Sequence, residues 1–122
     1  MKNKEKVIDL SGVKVMADND IAFLIDICST FGKELNEFEL GFNSAVRNGD
    51  LTLMNALIHK VYPGLELFRA GILIKEIQVL EALINRSEIE GSSKDYHLER
   101  INRYCREGIQ VLDTFLGTII KE

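Results

Sequence analysis

Residues 20–50, DIAFLIDICSTFGKELNEFELGFNSAVRNGD, decide the fold of this chain because their apolar residues recur every three or four positions. That spacing places the apolar side chains along one side of an α-helix. These side chains are Ile21, Leu24, Cys28, Phe31, Leu35, Phe38, Phe42 and Ala45. Asp18 and Asp20 offer N-cap side chains, and Gly49 offers a C-cap. Two internal glycines weaken the helix but keep its phase, so we expect one helix of about 28 residues, roughly 42 Å long.

Three further segments carry the same rhythm of apolar residues. The second helix begins at the Asp50 cap and should kink or end at Pro63, which has no N–H to donate. The third helix ends near Asn85, and a loop at residues 90–95 precedes the fourth. In chain order, the apolar positions are Leu51, Met54, Ile58 and Val61, then Ala70, Leu73, Ile77, Leu80 and Ile84, and finally Leu98, Ile101, Cys105, Gly108, Leu112, Phe115 and Ile119.

Four apolar stripes joined by short turns predict an all-α fold, an antiparallel up-down-up-down four-helix bundle with crossing angles of about 20°. Residues 7–13, VIDLSGV, form a short N-terminal segment that we expect to cap one end of the bundle. A length of 122 residues is that of one ordinary domain, so we assign residues 1–122 to a single domain.

Composition and charge exclude several classes of function. The net charge is −4, and the basic residues are scattered among acidic ones, which argues against nucleic-acid binding and favours a protein partner. No apolar run reaches the ~18 residues of a membrane span, and the charged start is followed by no apolar signal segment, so we expect a cytoplasmic protein. Cys28 and Cys105 lie on apolar stripes without a CxxC pattern, which predicts core thiols and no metal or redox site.

The two histidines differ in their sequence surroundings. His59 lies off the apolar stripe of the second helix, on a flank of polar side chains. That flank contains Thr52, Asn55 and Tyr62. A neutral, accessible imidazole is a nucleophile, and an ordinary histidine, with a pKa of about 6.5, is mostly neutral in the cytoplasm. On position alone, a plain surface or boundary role for His59 stays open. His97 lies in a charged helix start, and we expect it to be solvated surface.

In order and spacing, these features resemble the histidine-containing phosphotransfer (HPt) domain of bacterial two-component phosphorelays, over nearly the whole chain. The segments that carry the resemblance are residues 8–13, residues 20–24 with Phe31, residues 48–50 and residues 68–71, with His59 at the phosphoacceptor position. The resemblance implies a phosphorelay intermediate that accepts a phosphoryl group on a histidine from a receiver-domain aspartate and passes it to another receiver. It implies no kinase activity of the chain itself and no cofactor, since the receiver supplies Mg²⁺. The implied partners are response-regulator receiver domains and a hybrid sensor histidine kinase.

The resemblance also implies roles for residues around His59. Many HPt domains have lysine and glycine three and four residues after the histidine, whereas this chain has Tyr62 and Pro63, a pattern similar to HPt domains of bacterial hybrid kinases. Lys60 and Arg69 are then the nearest cations that could balance the phosphoryl charge. The family often has a polar side chain, frequently glutamine, that accepts the Nδ1–H of the imidazole and orients it, and Gln78 and Glu81 are the candidates here. Glu81 is the one that we assign, because it borders the apolar stripe of the third helix. The surface expected to bind a receiver contains Thr52, Asn55, Tyr62 and Pro63.

Other interpretations of these residues remain open. Lys60, Arg69 and Glu81 are equally compatible with plain solvated charges. A different function is a non-phosphorylated helical adaptor that docks a receiver domain or another protein, and Tyr62 and Pro63 in place of lysine and glycine favour it. A metal-binding four-helix protein is disfavoured, because such proteins use Glu-x-x-His pairs and His59 has Ala56 and Tyr62 at that spacing.

Overall fold

The computed structural model of the chain describes residues 6–85 and 91–120. All secondary structure in these two ranges is helical, which confirms the all-α class for the described part of the chain. The helices are α1 (Ser11–Ala17), α2 (Ile21–Asn48), α3 (Leu51–Leu67), α4 (Gly71–Asn85) and α5 (Gly91–Ile120).

The boundaries of α2 and the start of α3 follow the capping residues. The Asp20 carboxylate accepts a hydrogen bond from the backbone N–H of Phe23 at 3.0 Å, and Asp50 accepts one from Leu53 at the same distance. Gly49 ends α2 in the left-handed region with φ 67°, which glycine adopts without steric cost. The predicted helix of about 28 residues is therefore confirmed, since α2 has 28 residues.

The helices share one apolar core. α2 packs against α3 and α5, α4 packs against the same two helices, and α1 packs against α2. α5 approaches α2 closely at Gly108, where an added Cβ would lie 3.2 Å from Leu35 Cδ1. The largest fully buried side chains are Phe38, Phe42, Phe68, Leu35, Leu65, Leu73, Leu80, Ile101 and Leu112. Most apolar positions of the predicted stripes thus face this core.

The N-terminal segment packs on the turn between α3 and α4. The backbone N–H of Asp9 donates to the carbonyl of Phe68 at 2.8 Å, and Val7, Ile8 and Val13 are buried. Beyond Leu10 the segment becomes the seven-residue helix α1. The role of this segment as a cap on the bundle stays a prediction.

The structure shows where α3 ends and corrects the start of the last helix. An end of α3 at Pro63 is wrong, because the helix continues to Leu67: proline removes only one helical hydrogen bond, and the following turn still buries Leu65. The alternative, a kink at Pro63, stays a prediction. α5 begins at Gly91, so residues 91–95 are helical rather than a loop, while Glu90 lies outside the described residues. Here the packing of a long helix outweighs the weak local preferences of glycine and serine.

Two residues of the predicted buried stripes are exposed. Ile21 and Leu51 retain 48% and 46% of their accessible surface. Each is the first residue of its helix. Apolar periodicity identifies the correct face of a helix, but it does not show where that face leaves the core.

Candidate functional site

His59 lies on the outward face of α3. The buried residues of this helix are Met54, Val61 and Leu65. At about 100° per residue, His59 points well away from all three, and its side chain is exposed. The other exposed residues of the same face are Thr52, Asn55, Ala56, Pro63 and Glu66. The imidazole therefore reaches solvent among mostly short side chains.

Close packing with α2 sets the position of α3 near this histidine. At Gly64 an added Cβ would lie 2.7 Å from Phe31 Cδ1, a distance that would force the two helices apart. Phe31 in turn stacks on Phe68, with ring centroids 4.3 Å apart and an interplanar angle of 7°. Gly64 therefore serves the internal contact between α2 and α3, one turn beyond His59.

Pro63 leaves one carbonyl of α3 without its helical donor. The carbonyl is that of His59, four residues earlier, since proline has no N–H. Pro63 itself is exposed on the histidine's face, and Tyr62 beside it is half-buried. The surface predicted to bind a receiver thus combines an exposed imidazole, a free backbone acceptor and one aromatic side chain.

Of the two predicted cations, Lys60 lies on α3 directly after His59, whereas Arg69 does not belong to this helix. The Lys60 ammonium lies 3.6 Å from Glu37 Oε1 on α2, in an exposed ion pair. Arg69 lies beyond the end of α3, in the turn before α4, with a left-handed backbone φ of 53°. Its guanidinium lies against Gly12 of α1, where an added Cβ would be 3.2 Å from Nη2. A charge-balancing role for Arg69 stays a prediction.

The predicted imidazole-orienting residue lies on the neighbouring helix. Glu81 is half-buried on α4, the helix that packs against α3, and Gln78 one turn earlier is exposed. The hydrogen bonds between described side chains do not include one from His59 to either residue. The orienting role of Glu81 therefore stays a prediction.

His97 is not solvated surface, and that prediction is wrong. Its Nδ1 contacts the Glu76 carboxylate, and the two side chains are only 18% and 11% exposed. The Arg100 Nε donates to the other oxygen of Glu76 at 3.1 Å, and its Nη2 donates to the Tyr104 hydroxyl at 2.9 Å. The hydrogen bond with Glu76 raises the pKa of the Arg100 guanidinium. These side chains hold α4 and α5 together through a buried carboxylate.

One sequence signal could have identified this cluster. Glu76 directly precedes Ile77 and follows Leu73 by three positions, so it borders the apolar stripe of α4. His97 directly precedes Leu98, on the border of the stripe of α5. A charged residue at such a border requires a partner when the helices close, because an isolated buried charge is costly.

The two cysteines are buried, free thiols, which confirms the prediction of core residues. Burial raises the pKa of Cys105 to about 12 and also raises the pKa of Cys28. Both thiols are therefore protonated at neutral pH and are poor nucleophiles. Within residues 6–85 and 91–120, no three His, Cys, Asp or Glu side chains are grouped to hold a metal ion.

Comparison with known proteins gives no family assignment. No protein-family model, curated protein or solved structure matches this chain. In the described part of the chain, no helix combines the length and apolar character needed to cross a membrane. The functional interpretation therefore depends on the chemistry of the α3 face.

Proposed function

We propose that this chain is a phosphorelay intermediate of the HPt type, with His59 as its phosphoacceptor. The observation that supports this proposal most strongly is the exposed imidazole of His59 on the outward face of α3, among short side chains that leave space for a partner. The other histidine is engaged by Glu76 and largely buried. Of the two imidazoles, His59 is thus the one that a receiver domain can reach.

The chemistry requires little from the chain beyond this exposure. The lone pair of His59 Nε2 attacks the phosphorus of a receiver phospho-aspartate, a P–N bond forms, and the P–O bond to the aspartate carboxylate breaks. The Nδ1 proton remains on the ring, and the Nδ1–H would donate a hydrogen bond to the Glu81 carboxylate. Attack on the phosphohistidine by a second receiver's aspartate reverses these steps. Mg²⁺ and the acidic pocket belong to the receivers, so the bundle supplies position rather than a metal.

The proposed architecture is an antiparallel up-down-up-down bundle of α2, α3, α4 and α5, with residues 7–13 against one end. Such a bundle presents His59 from a rigid helix instead of a loop, which keeps the imidazole in a defined direction. The proposed partners are receiver domains and a hybrid sensor histidine kinase, and the proposed location is the cytoplasm. The absence of membrane-spanning helices among the described residues and the net charge of −4 are compatible with these protein partners and with this location.

Transfer from charged receivers tests the proposal directly. Receiver domains phosphorylated with acetyl phosphate are incubated with the chain, and acid-labile, base-stable phosphate on the chain is measured. The wild-type chain should become labelled, and the His59→Gln variant should not. Because His59 is exposed, the free energy of unfolding of the same variant should differ from that of wild type by at most about 0.5 kcal/mol.

The matched control is His97→Gln, which changes the other histidine. Its folded fraction should still accept the phosphoryl group. Labelling of His59→Gln, or labelling at His97, would overturn the assignment.

The adaptor function has one observation in its favour. Tyr62 and Pro63 occupy the positions at which many HPt domains have lysine and glycine, so the outward face of α3 lacks the lysine that would assist phosphoryl transfer. If the chain is an adaptor, the wild type and the His59→Gln variant should bind receivers equally well, and neither should be labelled. A relay protein would be labelled only as wild type.

A further inference from the structure

Two carboxylates of α2 lie along the edge of α3 that carries Lys60. Glu37 forms the 3.6 Å ion pair with the Lys60 ammonium. Glu34 lies one turn earlier on α2, with its Oε1 3.2 Å from the position of an added Cβ on Gly64. Glu34, Glu37 and Lys60 line one small cleft between the helices. The Lys60 side chain is therefore directed toward α2.

The position of Lys60 in α3 allows its side chain to point in a second direction, toward His59. Lys60 directly follows His59, and adjacent helical side chains diverge by about 100°, so the ammonium is not fixed over the imidazole. The lysine stem is long and flexible, and 67% of the side chain is exposed. Its ammonium can therefore leave Glu37 and move toward the outward face of α3 without disturbing the core.

Magnitudes decide which partner Lys60 prefers. An ion pair between side chains that are 67% and 64% exposed contributes little to stability, because water screens both charges and the two flexible side chains lose conformational freedom. A phosphoryl group on His59 would add close to two negative charges and three strong acceptor oxygens. A hydrogen bond from an ammonium to such an oxygen is about twice as strong as one between neutral groups. The phosphoryl group should therefore compete successfully with a single exposed carboxylate.

The geometry points to a change of partner by Lys60 on phosphorylation, from Glu37 on α2 to the phosphoryl oxygens on His59. Glu37 is then a positioning residue that competes for the cation and sets how strongly it stabilises the phosphorylated state. This inference rests on the proposed phosphorylation of His59. It identifies Lys60 as the cation that replaces the lysine found in many HPt domains at the position of Tyr62.

The test uses the full chain phosphorylated with phosphoramidate, which requires no receiver. Nε2 of His59 forms a P–N bond with the phosphoryl group, the P–N bond of phosphoramidate breaks, and ammonia leaves. The ³¹P chemical shift then gives the pH at which the phosphoryl dianion takes up one proton to become the monoanion, measured at low ionic strength to limit screening. A nearby cation favours the dianion and lowers that pH.

The expected shifts have opposite signs. Lys60→Met should raise the protonation pH by about 0.3 unit, and Glu37→Gln should lower it by a similar amount, as for one charge contact near the surface. The matched control is Glu66→Gln, which removes one negative charge two turns along the outward face of α3. Its shift measures the direct effect of a lost charge, and it should be at most half that of Glu37→Gln.

The double variant separates competition for Lys60 from simple repulsion. With Lys60→Met in place, Glu37→Gln should shift the protonation pH no more than the Glu66 control does. An equal effect of Glu37→Gln with and without Lys60, or no effect of Lys60→Met, would overturn the inference. If the effect of Glu37→Gln depends on Lys60 as expected, but charged receivers transfer no phosphoryl group to the chain, only the relay function is overturned. If only charged receivers label His59, the same shifts are measured on the chain that they phosphorylate. Failure of both donors to label His59 would overturn both proposals.

Discussion

The outward face of α3 and the interface between α4 and α5 each contain one histidine, and their environments are opposite. His59 is exposed, and its imidazole has no carboxylate partner among the hydrogen bonds described. His97 is largely buried, and its Nδ1 contacts Glu76, which also accepts from Arg100. One imidazole can meet another protein, whereas the other joins two helices of its own chain.

This difference shows that the environment of a histidine, more than its presence, decides its role. A buried carboxylate between a histidine and an arginine contributes to stability, because removal of one partner leaves the charges of the others buried and uncompensated. An exposed imidazole contributes little to folding and is free to react. Variants at the α4–α5 interface should therefore change the free energy of unfolding, whereas variants on the outward face of α3 should change receiver binding or phosphoryl transfer.

The largest expected effect is the loss of the carboxylate at the α4–α5 interface. Glu76→Ala should lower the free energy of unfolding by about 2–3 kcal/mol, because His97 and Arg100 lose a buried acceptor. Urea denaturation measures this change. The matched control is Glu37→Ala, whose carboxylate is exposed and which should change stability by at most about 1 kcal/mol. Equal losses in both variants would remove the distinction between the two regions.

The next effect concerns the helix that carries His59. Pro63→Ala restores an N–H to the His59 carbonyl and should raise the free energy of unfolding by about 1–3 kcal/mol. Receiver binding or phosphoryl transfer should weaken at the same time, because we expect the free carbonyl and the predicted kink at Pro63 to shape the docking face. Thr52→Ala on the same face controls for the higher helix propensity of alanine, and it should change the free energy of unfolding by only a few tenths of a kcal/mol. A Pro63→Ala variant that is less stable and fully active would show that the proline has no docking role.

The smallest expected effect would sharpen the contrast between the two imidazoles. If Glu81 accepts the Nδ1–H of His59, Glu81→Gln should decrease the Nδ1–H tautomer and slow phosphoryl transfer about three- to tenfold, as for one weakened hydrogen bond. The ¹⁵N chemical shifts of the ring report the tautomer, and receiver assays report the rate. Gln78→Ala on the same helix is the control. An unchanged tautomer together with an unchanged rate would exclude Glu81 from the site.

Sequence reasoning could predict part of the candidate site. The flank position of His59 follows from the phase of the apolar residues in α3, because that phase places the imidazole away from Val61 and Leu65. The partner of Lys60 could not be predicted, since Glu37 belongs to another helix. The role of Gly64 was also missed, because its close contact with Phe31 depends on the distance between two helix axes.

The sequence by itself determined the all-α class, the length of α2 and the caps at Asp20, Gly49 and Asp50. These features depend on hydrogen bonds and apolar spacing between residues close together in the chain. Only the tertiary structure decided that His97 is bound to Glu76, 21 residues away, and that α3 continues past Pro63. Such contacts depend on the axial offset and rotation of packed helices, and the periodicity of one helix contains no information about either.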